Sequence, residues 1–540
     1  MPSNPFSSSL NLIDLNDYLG PSQTCIKPIS SASVGGNPQD TSKSQIELDR
    51  LTGDYYEIHP SSSSKLKEAE ITLNDCLACS GCITSAESVL VSLQSVDEVL
   101  KAIKKPNRYP IVSISSHSLA SFAAYNNLST LSQAFRAFQN YFTHKLHFKL
   151  VLDLSFSQRL HLWESRNEFK QHQNSHNNSH LSKRSTLLAS SCPGWVCYAE
   201  KTQGKNGILE MISQVRSAQQ IQGALVKSHK LASTLGICPT EIYHVCVMSC
   251  YDKKLEASRP DFQTNHLKEV DCVLTTREVQ DLMVQDGFDI LQAAQVLEPS
   301  TVSSPADLPI WVDHPEPKGS STGGYLFNIL RSVVSDVPQN DRNRLKLVID
   351  RKRGSDHTEY RLQLDPQNPC DSSSSPSTLF QGAHFYGFKN LQNLIRKLGP
   401  TNAHTQANRA RRSKRPTATD SKDLSERGYD YVEVMACPSG CVNGGGQISA
   451  PKSMTLESSY SAKEWVGEVE KKYFGLAQAA EKDQLGMCLE IDRFEEEEVS
   501  FIQEWLKRWG LDKDGEMKRK LFQTSYQAVE AEPNGFTVQW

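Results

Sequence analysis

Cys76-Leu-Ala-Cys79-Ser-Gly-Cys82 constrains this chain more than any other stretch. Three thiols at two-residue gaps meet at one point only if the backbone curls around it, and Ser80 and Gly81 are small enough for so tight a path. Cubane iron–sulfur clusters are held by thiolates at this C-x2-C-x2-C spacing, with a fourth cysteine and a proline completing the run. Here Cys82 is followed by Ile-Thr-Ser-Ala, so a fourth thiolate must come from elsewhere, and upstream Cys25 is the candidate. Zinc is the competing occupant, although its cysteines usually come as separated pairs.

The redox compartment decides how the remaining cysteines are read. Residues 1–15 carry neither a basic segment nor a long apolar core, so no secretory signal is expected. No run of about 18 apolar residues occurs, so no membrane-spanning helix is expected either. A cytoplasmic or nuclear protein follows by elimination, and its 14 cysteines are then metal ligands, reactive thiols or buried fillers rather than a disulfide framework. With 58 Lys+Arg against 62 Asp+Glu, the net charge of −4 argues against a nucleic-acid-binding surface.

From Tyr109 the chain alternates strand-like and helical patterns. Ile111–Ile114, Phe148–Leu152, His244–Met248 and Asp271–Leu274 read as buried strands, and Leu131, Phe135, Phe138 and Phe142 recur at helical spacing. Thr275-x-x-Glu278 and Ser461-x-x-Glu464 are capping boxes that start helices. An α/β protein with a mostly parallel sheet is expected. Segments 171–185, 365–377 and 401–423 are too polar to offset chain entropy and read as disordered insertions. The expected divisions are a cysteine-bearing region at 1–105, α/β lobes at 106–290 and 291–460, and a helical region at 461–540.

A second cysteine set is dispersed. Cys192 lies in Ser-Ser-Cys-Pro-Gly-Trp, Cys250 in Met-Ser-Cys-Tyr-Asp-Lys-Lys, and Cys437 and Cys441 in Met-Ala-Cys-Pro-Ser-Gly-Cys-Val-Asn-Gly-Gly-Gly-Gln. Each follows a strand-like run, and ligands of open parallel sheets collect at strand ends. Pro438 and Gly440 open a turn that can put two sulfurs on one face, and Gly444–Gly446 allow close backbone approach.

These three segments, in this order, resemble the signature segments of iron-only hydrogenases. With Cys25 and Cys76–Cys82 upstream, the chain is more similar still to the cytosolic iron–sulfur assembly factors of that superfamily, the Nar family, relatives of the nuclear prelamin A recognition factor. The resemblance implies a two-lobed iron-only-hydrogenase-like body with an N-terminal Fe–S arm and a helical C-terminal wrap. It implies two [4Fe-4S] clusters: one on Cys25, Cys76, Cys79 and Cys82, the other on Cys192, Cys250, Cys437 and Cys441. Lys253 matches the hydrogenase lysine that contacts the di-iron ligands, and Ser321–Gly324 matches a pocket loop.

The departures weigh against hydrogen chemistry. Hydrogenases carry a second, proton-relaying cysteine where this chain has Ser191, and a proline where it has Ser249. Ser113-Ile-Ser-Ser-His-Ser-Leu-Ala replaces the segment lining the hydrogenase pocket. The expected role is therefore cluster maturation in the cytoplasm, with the nucleus as second compartment, between early scaffold NTPases and a targeting complex with a WD40-type subunit. A hydrogenase-type oxidoreductase and a nuclear lamin-interacting protein are the alternatives. Family members end in an aromatic residue read by the targeting complex. Val538 and Trp540 fit that tail and Gln539 departs from it; the competing reading packs Trp540 on the protein's own surface. His172, His176 and His180 read as loop residues, and Arg409–Arg415 as a solvated charge run.

Overall fold

The computed structural model describes residues 45–48, 55–59, 62–65, 93–177, 186–204, 206–264, 267–296, 308–352, 354–366, 376–398, 428–451, 460–475, 493–512 and 515–528. It divides into two compact units, Ser22–Ser88 and the remainder. Within the first, β1 (Gln45–Leu48), β2 (Tyr55–His59) and β3 (Ser62–Lys65) form an antiparallel meander.

The larger unit is built on two sheets. Its strands are β4 (Tyr109–Ile114), β5 (Leu150–Asp153), β6 (Leu187–Ala189), β7 (Ile242–Met248), the short pair β8 (Gln263–Thr264) and β9 (Leu267–Lys268), β10 (Cys272–Thr275), β11 (Leu345–Arg351), β12 (His357–Leu364), β13 (Ser377–Tyr386) and β14 (Tyr431–Met435). The order β10-β7-β4-β5 is parallel throughout. In β11-β12-β13-β14-β6 the first two pairings are antiparallel and the last two parallel.

The parallel sheet is covered on both faces, and every residue of β5, β7 and β10 is buried. Because successive side chains alternate, Val112 and Ile114 enter one core with Phe122, Phe138 and Phe142, while Ile111 enters another with Trp505 and Phe522. That second core docks the C-terminal helices Arg493–Arg508 and Gly515–Phe522 onto the body, as a wrap requires. Both expected capping boxes form, at Thr275/Glu278 and Ser461/Glu464.

One expectation is corrected. The insertion expected from residue 171 is helical at its start, because the helix Ser155–Asn177 carries through it. Phe169, 2% exposed, is the last deeply buried residue of this helix among the described residues, and the polar residues that follow it, His172 included, continue it. Pairing in the body is mostly parallel, as expected, within two sheets, and the second also holds an antiparallel meander, β11-β12-β13.

Candidate functional site

Three strand ends deliver four thiols. Cys192 follows β6 and is the N-cap of the helix Pro193–Thr202. Its amide donates to Ser190 Oγ at 3.0 Å, and Ser190 Oγ donates to the Val434 carbonyl of β14 at 2.6 Å. Cys250 lies just past β7 and before the helix Asp252–Ala257. Cys437 lies just past β14, and Cys441 opens the 3-10 turn Cys441–Asn443.

Glycines let these segments close on one another. A Cβ on Gly444 would lie 2.3 Å from the Ser249 carbonyl oxygen, and one on Gly446 would lie 3.2 Å from Cys250 Cα. The Gly446 amide donates to that same Ser249 carbonyl at 3.0 Å. A Cβ on Gly194 would meet Asp252 Oδ2 at 2.6 Å, so the helices after Cys192 and Cys250 abut at their starts. Ser439 and Gly440 take the positive φ values, 58° and 78°, that reverse the chain between Cys437 and Cys441.

The four thiols share one environment. Burial pushes all of them up, Cys441 to about 12. The charge of Cys192 is felt at each of the other three, and Asp252 opposes ionisation of Cys192, Cys250 and Cys437. Four mutually repelling, desolvated thiolates need a cationic partner, and a thiol bound to metal is deprotonated outright. No group of three or more His, Cys, Asp or Glu among the described residues is placed to hold a single metal ion. The donor set is all sulfur, as an iron–sulfur cluster requires.

A cavity of about 50 Å³ lies against Cys441, lined also by His117, Ser191, Gln219, Lys253 and Tyr325. Burial alone would lower the Lys253 pKa, but the Glu256 carboxylate at 2.9 Å raises it and keeps the ammonium charged. Burial holds His117 at about 4, so its ring is neutral. Its Nε2–H donates to the Ser321 carbonyl at 3.0 Å, and the ring stacks on Tyr473. Tyr325 OH donates to Ser191 Oγ at 2.8 Å. Gln219 is fully buried, and its Oε1 has no hydrogen-bond partner among the described residues.

The structure therefore gathers Cys192, Cys250, Cys437 and Cys441, with Lys253 and Ser321–Gly324 beside them. Cys25, Cys76, Cys79, Cys82, Val538, Gln539 and Trp540 lie outside the described residues. Glu433, which anchors the Ser320–Leu326 segment, escaped the sequence reading. Its signal was a carboxylate inside the otherwise apolar strand Tyr-Val-Glu-Val-Met.

Residues 108–445 match the family model for the iron-only hydrogenase large subunit, C-terminal domain. The chain is 37% identical to a rat protein named cytosolic iron-sulfur assembly component 3, over the full length of both. It is 37% identical to the Xenopus tropicalis cytosolic Fe-S cluster assembly factor narfl, covering 99% of each chain. Against the Schizosaccharomyces japonicus cytosolic Fe-S cluster assembly factor NAR1 homolog, identity is 38% over 86% of this chain and 90% of that one. In fold it is similar to the apo [FeFe]-hydrogenase HydA1 of Chlamydomonas reinhardtii, with a TM-score of 0.55 at 21% identity, covering 80% of this chain and 98% of that one.

Proposed function

Because the chain belongs to the hydrogenase-like family of cytosolic iron–sulfur assembly factors, we propose that it works in the cytoplasm as a component of iron–sulfur protein maturation and carries two [4Fe-4S] clusters. One cluster is held by Cys25, Cys76, Cys79 and Cys82, the other by Cys192, Cys250, Cys437 and Cys441. The observation that carries this reading is the convergence of the last four thiols from three strand ends into one desolvated place.

When bound, such a cluster supplies a delocalised one-electron centre and a reserve of iron and sulfide. The chain's own residues do the rest. The strand ends aim the thiols, the glycine-rich turn excludes water by bringing backbone against them, and Lys253 supplies a fixed positive charge. A ligand set scattered over about 250 residues releases its occupant only when the fold opens, which suits a persistent cluster. The arm thiols lie within seven residues of one another apart from Cys25, a local set suited to exchange. Early scaffold NTPases are the proposed donors. The targeting complex, through its WD40-type subunit, is the proposed recipient, engaged by the tail Val538-Gln539-Trp540.

We read the protein as a non-enzyme. Ser191 holds a hydroxyl where hydrogenases hold a proton-relaying thiol, and it accepts a hydrogen bond from Tyr325. A serine hydroxyl is a far weaker acid than a thiol, so Ser191 is a poor proton source for a metal centre.

Anaerobic iron and acid-labile sulfide analysis tests the cofactor reading, with about eight irons per chain expected. Each of Cys192→Ser and Cys79→Ser should remove one EPR signal and leave the other. Depletion should lower the activity of extramitochondrial iron–sulfur enzymes. Zinc without sulfide in oxygen-protected protein would overturn the reading, and hydrogen evolution with a strong reductant would restore the oxidoreductase alternative.

A further inference from the structure

Glu433 is 1% exposed at the centre of β14, four residues before Cys437. Its Oε1 accepts from Ser320 Oγ at 3.0 Å, from Tyr386 OH at 2.8 Å and from the Thr322 hydroxyl, and its Oε2 accepts from the Leu326 amide at 2.9 Å. These partners are three hydroxyls and an amide. A carboxylate solvated only by neutral donors keeps its whole negative charge inside the protein.

Two of the same hydroxyl-bearing residues also wall the cysteine turn. A Cβ on Gly440 would lie 2.0 Å from Thr322 Cγ2 and 3.8 Å from Tyr386 Cε2. The turn between Cys437 and Cys441 is thus moulded against side chains whose positions Glu433 dictates. Lys253, which lines the cavity beside Cys441 and pairs with Glu256 at 2.9 Å, carries a charge of the opposite sign.

We propose that Glu433 is a positioning residue for the Cys437–Cys441 turn and that its charge, opposed by that of Lys253, sets how readily the group held there accepts an electron. This rests on the reading that Cys192, Cys250, Cys437 and Cys441 hold a cluster. Both charges lie beside Cys441: Lys253 lines the same cavity, and Glu433 is bonded to the Thr322 that packs against Gly440, the residue before Cys441. An added electron makes the site more negative, so a nearby carboxylate opposes it and an ammonium favours it.

The test is an EPR-monitored redox titration of the full chain, loaded anaerobically. Glu433→Gln should shift the midpoint of the buried cluster upward, and Lys253→Met downward. Tyr386→Phe and Thr322→Val keep the charge and remove a donor that spreads it, so both should shift the midpoint downward. A merely structural role predicts no such opposition of sign. On the cluster-free chain, hydrogen exchange at the Leu326 amide should quicken in Glu433→Gln, because that amide loses its acceptor.

An unchanged midpoint in Glu433→Gln at full iron content, or a shift in the same direction as Tyr386→Phe, overturns the proposal. Should Glu433→Gln fail to retain iron, the Tyr386→Phe titration decides, and no downward shift overturns it. Wild-type protein without acid-labile sulfide would sink the cluster reading instead, a distinguishable failure.

Discussion

Arg259 grips Glu200 with two parallel hydrogen bonds, Nη1 to Oε2 and Nη2 to Oε1, both at 2.7 Å. Glu200 belongs to the helix begun by Cys192, and Arg259 lies two residues past the helix Asp252–Ala257 that follows Cys250. The pair therefore holds two ligand-bearing segments at a fixed separation. The same Glu200 Oε1 accepts from the Gln527 amide at 3.3 Å, so the segment after the last helix is tied to the same point.

Removing Arg259 leaves a carboxylate that is 8% exposed without its cation. Arg259→Ala should cost roughly 3 kcal/mol of stability, as breaking a buried pair does. Arg259→Lys keeps the charge and loses the fork, and should fall between. Denaturant midpoints check the ranking. The iron content of the Cys192–Cys441 site should fall in the same order, with the arm cluster unaffected.

The three consecutive glycines after Cys441 are not equivalent. A methyl on Gly444 would strike the Ser249 carbonyl oxygen at 2.3 Å, and one on Gly446 would strike Thr275 Cγ2 at 2.6 Å, whereas nothing lies within 4 Å of one on Gly445. Gly444→Ala and Gly446→Ala should each cost about 1–3 kcal/mol through overpacking and lose the buried cluster. Gly445→Ala should keep both stability and iron. Thermal melts and iron-to-protein ratios on the three variants decide it. Equal losses in all three would mean that flexibility, rather than close approach, is what the glycines supply.

That distinction marks what could be read from sequence. Strand-end cysteines were legible because β7 and β14 are short apolar runs, and the Thr275/Glu278 capping box because it is local chemistry. The meander β11-β12-β13 was missed although its signal exists, since Thr358, Tyr360 and Leu362 are more deeply buried than the Glu359 and Arg361 between them. Its charged residues and the adjoining serine-rich stretch masked the alternation. The helix through Asn177 was illegible because the polar run from Gln171 carries no apolar face to mark it. The clamp on Glu433 joins residues about 110 apart, a relation that spacing along the chain cannot reveal.

His244 supplies a pH dependence with a definite sign. It is fully buried on β7, donates from Nδ1 to the Glu269 carbonyl at 3.1 Å and accepts at Nε2 from Ser113 Oγ at 2.9 Å. Burial lowers its pKa to about 3, aided by the charge of Lys227. The unfolded chain binds this proton below about 6.5 and the folded chain does not until about 3. Its contribution to stability is therefore present above pH 6.5 and lost as pH falls through 3. His244→Gln should flatten that acid limb by about 1.4 kcal/mol per pH unit at most. Unfolding free energies measured between pH 3.5 and 6.5 on both chains check it, and parallel curves would refute it.

The two proposed clusters should leave the protein at different rates. The buried set gathers ligands from positions as far apart as Cys192 and Cys441, on turns packed under Gly444 and Gly446, so a chelator reaches it only after the fold opens. Three of the four arm ligands fall within Cys76–Cys82, a set local in sequence. Chelation of the loaded chain should be biphasic, with about half the iron lost in each phase. Cys79→Ser should abolish the fast phase alone, and Cys192→Ser the slow one. Arg259→Ala, which loosens the tie between two buried-site segments, should accelerate only the slow phase. A single phase in wild-type protein, or a fast phase that survives Cys79→Ser, would show that release does not follow the separation of the two ligand sets.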